Sequence, residues 1–355
     1  MTEQVATLAR RAVSEFEHVA PYDLVVHRMG GDASDRSYYR VSYGAFGRKK
    51  TAVLMKLADA GPFIKSEEVT LYHDESGELP FLNIHRFLES IGLPVPQVLL
   101  SSVDELGALL LEDLGNTLLL EIAQGSDHER TARLYRRAIE QLVYLQLEGT
   151  RQLGERCVAA KQAFTTELFH WEFRHFLEYG IEARHGKLPA SAEQEIDTLF
   201  RQWSEHLAAL PRVFVHRDYH ARNLMVAGER LVVIDFQDAL LGPATYDLVS
   251  LLRDSYIDLG WPLVDELLEH YFETWDKRGG DTLDRERFRT NLWATAMQRN
   301  LKVAGRFVFI ERVKHKSGYE KDIPRTLSYL AGYVERAPEL RPLVDALRPY
   351  VPELA

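Results

Sequence analysis

Apolar positions change their period along this chain. At its start Val5, Leu8, Ala9, Val13 and Phe16 recur at helical spacing and predict an amphipathic helix. Three short runs follow, YDLVVHRM (22–29), RSYYRVSY (36–43) and TAVLMKL (51–57), separated by the polar turns GGDASD and GAFGRKK. Such runs predict strands, and turns this short predict an antiparallel meander. Residues 59–79 are polar and mixed and carry no clear period. FLNIHRFLESIG (81–92) predicts a helix stopped at Gly92, and LPVPQVLL (93–100) an extended stretch. GALLL (107–111) predicts a buried strand that ends abruptly in acid and glycine, EDLGN.

Beyond about residue 116 the texture turns helical. Leu134, Ala138, Leu142 and Leu145 mark one helix, and the stretch around Phe169–Phe176 a second. Leu248, Leu251, Leu252, Tyr256 and Leu259 mark a third, with more between 262 and 350. Two short strands, RVFV (212–215) and RLVVIDF (230–236), interrupt this half. There is no internal repeat and no low-complexity linker. The expected architecture is α+β and bilobal. A β-rich N-terminal lobe (1–111) is followed by a hinge (112–115) and a helical C-terminal lobe (116–355). A cleft between such lobes is where a small-molecule site is expected.

Composition narrows the class. The 355 residues are 46% hydrophobic and 27% charged, as in ordinary globular proteins. A net charge of −10 argues against a broad attraction to nucleic acid or to an anionic membrane. Cys157 is the only cysteine, so neither an intrachain disulfide nor a multi-cysteine metal site can form. The first residues, MTEQVATLARRAVSEF, lack an apolar signal core. No apolar run approaches the roughly 20 residues that span a bilayer. A reducing cytoplasm fits these features. Oligomeric state is not legible.

The strongest chemical signal is VFVHRDYHARNLMV, residues 213–226. A strand leads into His216-x-Asp218, Asn223 follows five residues after the aspartate, and the next strand ends in Ile234-Asp235-Phe236. Phosphoryl transfer from ATP needs a carboxylate that orients the attacking hydroxyl and oxygen-bearing side chains that hold magnesium against the phosphates. Magnesium takes hard oxygens and few protein ligands, so an Asn with an Asp suits it. Loops at strand ends can bring Asp218, Asn223 and Asp235 together. The bland alternative is a polar turn between hairpin strands, which does not call for an acid at the end of the following strand.

The passage resembles the catalytic loop and metal-binding segment of the aminoglycoside phosphotransferase family and its choline, homoserine and sugar kinase relatives. The resemblance implies a protein-kinase-like fold, Asp218 as catalytic base, and Asn223 and Asp235 as magnesium ligands. In GPATYDLVSLL it implies that Asp247 buttresses the catalytic loop. Lys56, in an otherwise apolar strand, resembles the lysine that pairs the α- and β-phosphates. Its own alternative is a strand-end lysine reaching to water. Glu67, Glu68, Glu75 and Glu78 are all possible partners for it. GGDASDRSYYRV stands where a phosphate-covering loop belongs, and its backbone with Ser34 and Ser37 could serve phosphate oxygens. The main chain from Glu112 to Leu114 could offer an adenine ring one donor and one acceptor. Such a nucleotide site needs local cations, because the overall charge works against ATP.

Several segments carry a narrower resemblance, in preserved order over roughly residues 28–330. They are GDASDRSYYRV, GLPVPQVLL, LLLEDLG, DFQDALLGPATYDLVSLLRDSYI and the stretch 298–330. They resemble the N-acetylmuramate/N-acetylglucosamine anomeric kinases of bacterial cell-wall recycling, which implies a sugar acceptor and a sugar 1-phosphate product. Sugars are held by planar polar groups and an aromatic face. The candidates are Asp238 and Arg217 near the metal loop, Trp171, Glu172 and Arg174 on one helix, and Gln298, Arg299 and Lys302 on another. Each has an ordinary alternative as a core anchor or an ion-paired surface group. His216 and His220 are expected to stabilise the loop. An aminoglycoside kinase would want several convergent acids, whereas these segments mix Arg, Lys, Gln and Trp with acids. A choline- or homoserine-type kinase is a further alternative, and choline would want an aromatic cage. A nucleotide-binding pseudokinase would have lost the base or a metal ligand, and all three are present.

Overall fold

Alternation in the first part of the chain becomes a sheet. The structure, a computed structural model, describes residues 3–30, 36–57 and 78–355. Tyr22–Arg28 (β1), Ser37–Ala45 (β2), Arg48–Lys56 (β3), Val98–Ser102 (β4) and Ala108–Leu111 (β5) form one antiparallel sheet in the order β1-β2-β3-β5-β4. Between β2 and β3 the chain turns through Phe46 and Gly47 alone. Both have positive φ, 50° and 72°, as a two-residue hairpin loop matching the strand twist requires.

The predicted first helix spans Glu3–Glu17. It lays Val5, Ala9, Ala12 and Val13 on Val26, Val41, Tyr43, Leu54 and Leu110, which together form a buried apolar cluster. Past β5 the chain is pinned. Glu112 N–H donates to the Gln97 carbonyl at 2.9 Å, and Glu112 accepts from Gln97 N–H at 3.2 Å. Arg40 on β2 donates to Asp113 at 2.9 Å, to the Gly115 carbonyl at 2.7 Å and to Asn116 at 2.5 Å. Together with the described residues up to 57, Val95–Asn116 makes one compact unit.

Residues 78–94 and Thr117–Ala355 form the other unit, which is mainly helical. The helix expected at 81–92 is Pro80–Ser90, and the chain turns away at Gly92 with φ 77°. His128–Gln152 is capped by Asp127, which accepts from Arg130 N–H at 2.9 Å, and it buries Leu134, Ala138, Leu142 and Leu145. Ala190–Ala208, Trp261–Lys277, Arg285–Arg312 and Ile323–Arg336 are the other long helices. From Asn291 to Lys302 the helix Arg285–Arg312 is buried on every side, so its polar residues there face protein rather than water. Among the described residues, no helix is long and apolar enough to cross a membrane.

Three expectations are corrected. The helical half holds four short strands rather than two. Arg212–Val215 (β6) pairs with Leu240–Pro243 (β9), and Leu224–Ala227 (β7) pairs with Arg230–Val233 (β8). The predicted strand 230–236 stops at Val233, short of Asp235, and Leu240–Pro243 was hidden because Gly242 and Pro243 read as breakers. The third expected helix stops at Leu252 instead of running through Tyr256 and Leu259. There Asp254 captures Tyr256 N–H at 2.9 Å, a local bond that competes with helix continuation. The second predicted helix is present, α-helical over Thr166–His175 and widening to a π-helix over Phe176–Glu182.

Candidate active site

The site is built on the two short ribbons. β6 delivers the chain into residues 216–220, and β8 delivers it to Asp235. Backbone in both places is strained: Arg217 has φ 80° and Asp235 has φ 64°. Left-handed conformation in non-glycine residues costs on the order of 1–3 kcal/mol and persists only where surroundings impose it. Asp247, fully buried in the first turn of helix Thr245–Leu252, supplies that imposition for Arg217. Its two oxygens accept the N–H groups of His216 at 2.6 Å and Arg217 at 2.9 Å. Burial pushes the Asp247 carboxyl up to about 7, against those two donors, which favour the anion.

His216 locks the next step. Its Nδ1 accepts the Asp218 N–H at 3.2 Å, so Nε2 carries the proton and donates to the Ile234 carbonyl at 3.0 Å. Burial pulls its pKa down to about 4, consistent with a neutral ring. His220 is likewise pulled down by burial, to about 3, and its ring stands edge-on to Tyr256 at 5.7 Å. Both histidines shape the loop. Asp254 fixes its far side, accepting Ala221 N–H at 3.2 Å with the same carboxylate that holds Tyr256.

Asp218 thus projects from a loop held on several sides, and 40% of its side chain is exposed. Burial works to raise its carboxyl, but Lys302, Arg299 and Arg217 outweigh that and hold it well below the usual carboxylate range. Asn223 Nδ2 donates to the Asp218 carbonyl at 3.0 Å and lies 3.4 Å from Asp235 Oδ2. The amide oxygen of Asn223 is used in neither contact. Gln237 Nε2 donates to Asp235 at 3.0 Å and to Asp238 at 3.2 Å, tying those two acids together. One amide oxygen and one carboxylate, both hard ligands, fit a magnesium ion that completes its shell with phosphate and water.

The phosphotransferase enzyme family matches residues 25–280, well over half of the chain. The chain belongs to that family. An N-acetylmuramate/N-acetylglucosamine kinase of Neisseria meningitidis is 34% identical to this phosphotransferase over 328 residues, covering 89% of this chain and 87% of that one. The Pseudomonas aeruginosa kinase of the same description is 32% identical over 341 residues, covering 93% and 89%. Among solved structures, a choline kinase from Cryptosporidium parvum matches over 96% of both chains with TM-score 0.63 at 11% identity. An ADP-bound aminoglycoside phosphotransferase matches over 94% of this chain and 98% of that one, with TM-score 0.52 at 15% identity. These likenesses show the fold, which is the α+β protein-kinase-like fold.

The remaining predicted residues of the phosphotransferase fall in three places. Lys56 and Ser37 stand directly opposite each other at the ends of β3 and β2. Pleat alternation puts Lys56 on the face of Ala52 and Leu54. Ser34 lies outside the described residues, as do Glu67, Glu68 and Glu75. Glu78 is bonded to Asn83 at 2.8 Å and to Arg86. At the expected hinge the N–H of Glu112 is spent on Gln97, while Leu114 is half-buried.

Of the acceptor candidates, Asp238 is half-buried and shares the Gln237 amide with Asp235, and Trp171 stacks on His175 at 5.2 Å. Arg174 is bound to Glu193 at 3.0 Å and Asp197 at 3.2 Å. Arg217, Glu172, Gln298, Arg299 and Lys302 are brought together, but all five are buried. Sequence reasoning missed Gln237 and Asp254. Gln237 adjoins a recognised acid and could have been weighed. Asp254 lies inside the stretch 235–257, but nothing in its spacing singles it out, and its two backbone partners reveal it.

Proposed function

We propose that this phosphotransferase transfers the γ-phosphoryl group of ATP to the anomeric hydroxyl of an N-acetylated amino sugar and releases the sugar 1-phosphate. The observation that carries it is the convergence of Asp218, Asn223 and Asp235 through the Asn223 side chain. The sugar class is supported by two relatives, each matching about nine-tenths of the chain, that are named N-acetylmuramate/N-acetylglucosamine kinases.

In this mechanism Asp218 accepts a hydrogen bond from the acceptor hydroxyl and aims its oxygen at the γ-phosphorus. As the new O–P bond forms, the bond from the γ-phosphorus to the β,γ-bridging oxygen breaks, and the hydroxyl proton passes to the Asp218 carboxylate. A carboxylate held this acidic is a weak base, so its main contribution is orientation, with proton acceptance late. An anomeric hydroxyl is more acidic than an ordinary alcohol, which eases that demand. Asn223 and Asp235 would hold magnesium, which supplies charge neutralisation on the phosphates. Lys56 and Ser37, facing each other across two strands, would serve the phosphates with the 30–37 segment. Because Glu112 has spent its N–H, the adenine donor falls to Asp113 or Leu114. The setting we infer is the cytoplasm, where a lone buried Cys157 stays reduced.

Phosphorus NMR tests the proposal directly. The protein is incubated with ATP, magnesium and single sugars: N-acetylmuramate, N-acetylglucosamine, glucosamine, glucose and galactose, with kanamycin and choline as controls. A sugar 1-phosphate resonance that vanishes with Asp218→Asn is expected. Product only from kanamycin or choline would refute the acceptor class.

A further inference from the structure

Helix Arg285–Arg312 meets the end of helix Thr166–His175 too closely for a side chain to intervene. A Cβ added to Gly305 would lie 2.8 Å from Phe176 Cα and 2.9 Å from the His175 carbonyl oxygen, both of them backbone. The glycine therefore sets the helix separation here. Three residues back along each helix the chains bring charge together, Glu172 on one and Lys302 on the other.

Glu172 has no exposed surface at all. One of its oxygens accepts from Gln298 Nε2 at 2.7 Å. The other lies 3.5 Å from Arg217 Nη2 and 3.7 Å from Lys302 Nζ. Arg299, next to Gln298 on the same helix, places Nη2 3.7 Å from Asp218 Oδ1. A carboxylate this deep is sustained only by close cations and hydrogen bonds, and removing one partner of such a set leaves an uncompensated buried charge. Three cations, Arg217, Arg299 and Lys302, thus stand between two carboxylates, one closed inside the unit and one open on the loop. Immediately after Glu172's helix the backbone widens into the π-helix, a deviation that recurs at functional sites.

We propose that Glu172 is a positioning residue for phosphoryl transfer, holding Arg217 and Lys302 in place so that the strained loop presents Asp218 in its working geometry. Having no exposed atom, it acts through those two cations and does not touch substrate. Arg217 is the direct link, since its backbone is the left-handed step before Asp218 and its guanidinium is the group Glu172 holds. The proposal rests on Asp218 being the carboxylate that orients the acceptor.

The test is steady-state kinetics on Glu172→Gln, Lys302→Met, Lys302→Arg and the double variant Glu172→Gln/Lys302→Met, with Asp218→Asn as reference and a melting curve for each. Glu172→Gln is expected to lower kcat about tenfold or more, with KM for ATP and for the acceptor changed less than about twofold, because only the reacting geometry is disturbed. Lys302→Arg should keep most of the rate and Lys302→Met should lose it. The double variant should be no slower than the slower single one, as for groups that act as a unit. Wild-type kcat in Glu172→Gln, or losses that multiply in the double variant, would overturn the proposal. If Glu172→Gln does not fold, the Lys302 pair decides, and equal rates for Met and Arg would overturn it. Near-normal turnover by Asp218→Asn would instead remove the role assigned to Asp218, and the proposal with it.

Discussion

Glu17, at the end of the first helix, has both carboxylate oxygens on Lys50 Nζ, at 2.9 and 2.8 Å, and accepts the Tyr43 hydroxyl at 2.7 Å. Asp218 also has cations around it, yet Arg299 stops 3.7 Å away, beyond hydrogen-bond distance, and the side chain stays 40% exposed. Burial raises both carboxyls, and neighbouring positive charge brings both below their ordinary values. What differs is what remains for a ligand. Beside the sheet the charge is closed off and contributes only to stability. In the loop that carries Asp218 the surrounding groups are themselves anchored, to Glu172, to Asp247 and to backbone carbonyls. The field on Asp218 is therefore strong while its oxygens stay available. Preorganised charge of this kind is what phosphoryl transfer asks of a protein.

The contrast breaks most visibly at Asp218. Asp218→Asn should lose at least about a hundredfold in kcat, measured as ADP release, while melting within a few degrees of wild type. Unchanged turnover would place Asp218 with Glu17, as a structural carboxylate. Next in size is Asp235→Asn, expected to raise the magnesium concentration for half-maximal rate by about 10–100-fold in a magnesium titration. An unshifted titration would remove Asp235 from the metal site.

Asp247 sharpens the comparison in stability. Asp247→Ala leaves two buried N–H groups without an acceptor, at roughly 1–3 kcal/mol each, read from denaturant unfolding. Its pH dependence has a definite sign. The folded carboxyl, near 7, holds a proton that the unfolded chain, at an ordinary 3.8, releases. The stability from that group is therefore full below about pH 4 and is lost as pH rises to about 7. The difference in melting temperature between pH 5 and pH 8 should be smaller in Asp247→Asn than in wild type. The smallest effect is expected from Glu17→Gln, about 1–2 kcal/mol of stability with kcat unchanged, because its cation is substantially exposed.

Much of the site was legible in one dimension. Asp218 and Asn223 share a single loop, and Asp235 lies just past the strand that follows the next turn, so short spacing already brings them close. The helix Glu3–Glu17, the hairpin strands β2 and β3 and the helix after residue 80 were readable because each is long enough to show its period. β7 and β9 were not: Leu224–Ala227 runs straight on from the loop, and Leu240–Pro243 holds Gly242 and Pro243, which punctuate rather than extend a strand. The end of the third helix at Leu252 was hidden because apolar Tyr256 and Leu259 continue its spacing, whereas Asp254 turns the backbone. Glu172, Gln298, Arg299 and Lys302 stood out as candidates, but their chemistry alone would equally have suited an open sugar-binding wall.

What the sequence by itself determined was the inventory and its order: an antiparallel sheet before a helical half, and one loop bearing Asp218 and Asn223 ahead of a short strand with Asp235 just past its end. These follow from periodicity and near-neighbour spacing, which a linear chain carries in full. Tertiary structure alone decided which charges are closed and which stay open. Glu172 and Lys302 lie 130 residues apart in the chain and meet because Gly305 lets two helices touch. Whether a charged side chain binds substrate or braces the group that does depends on burial and distance, and both arise only when distant segments pack.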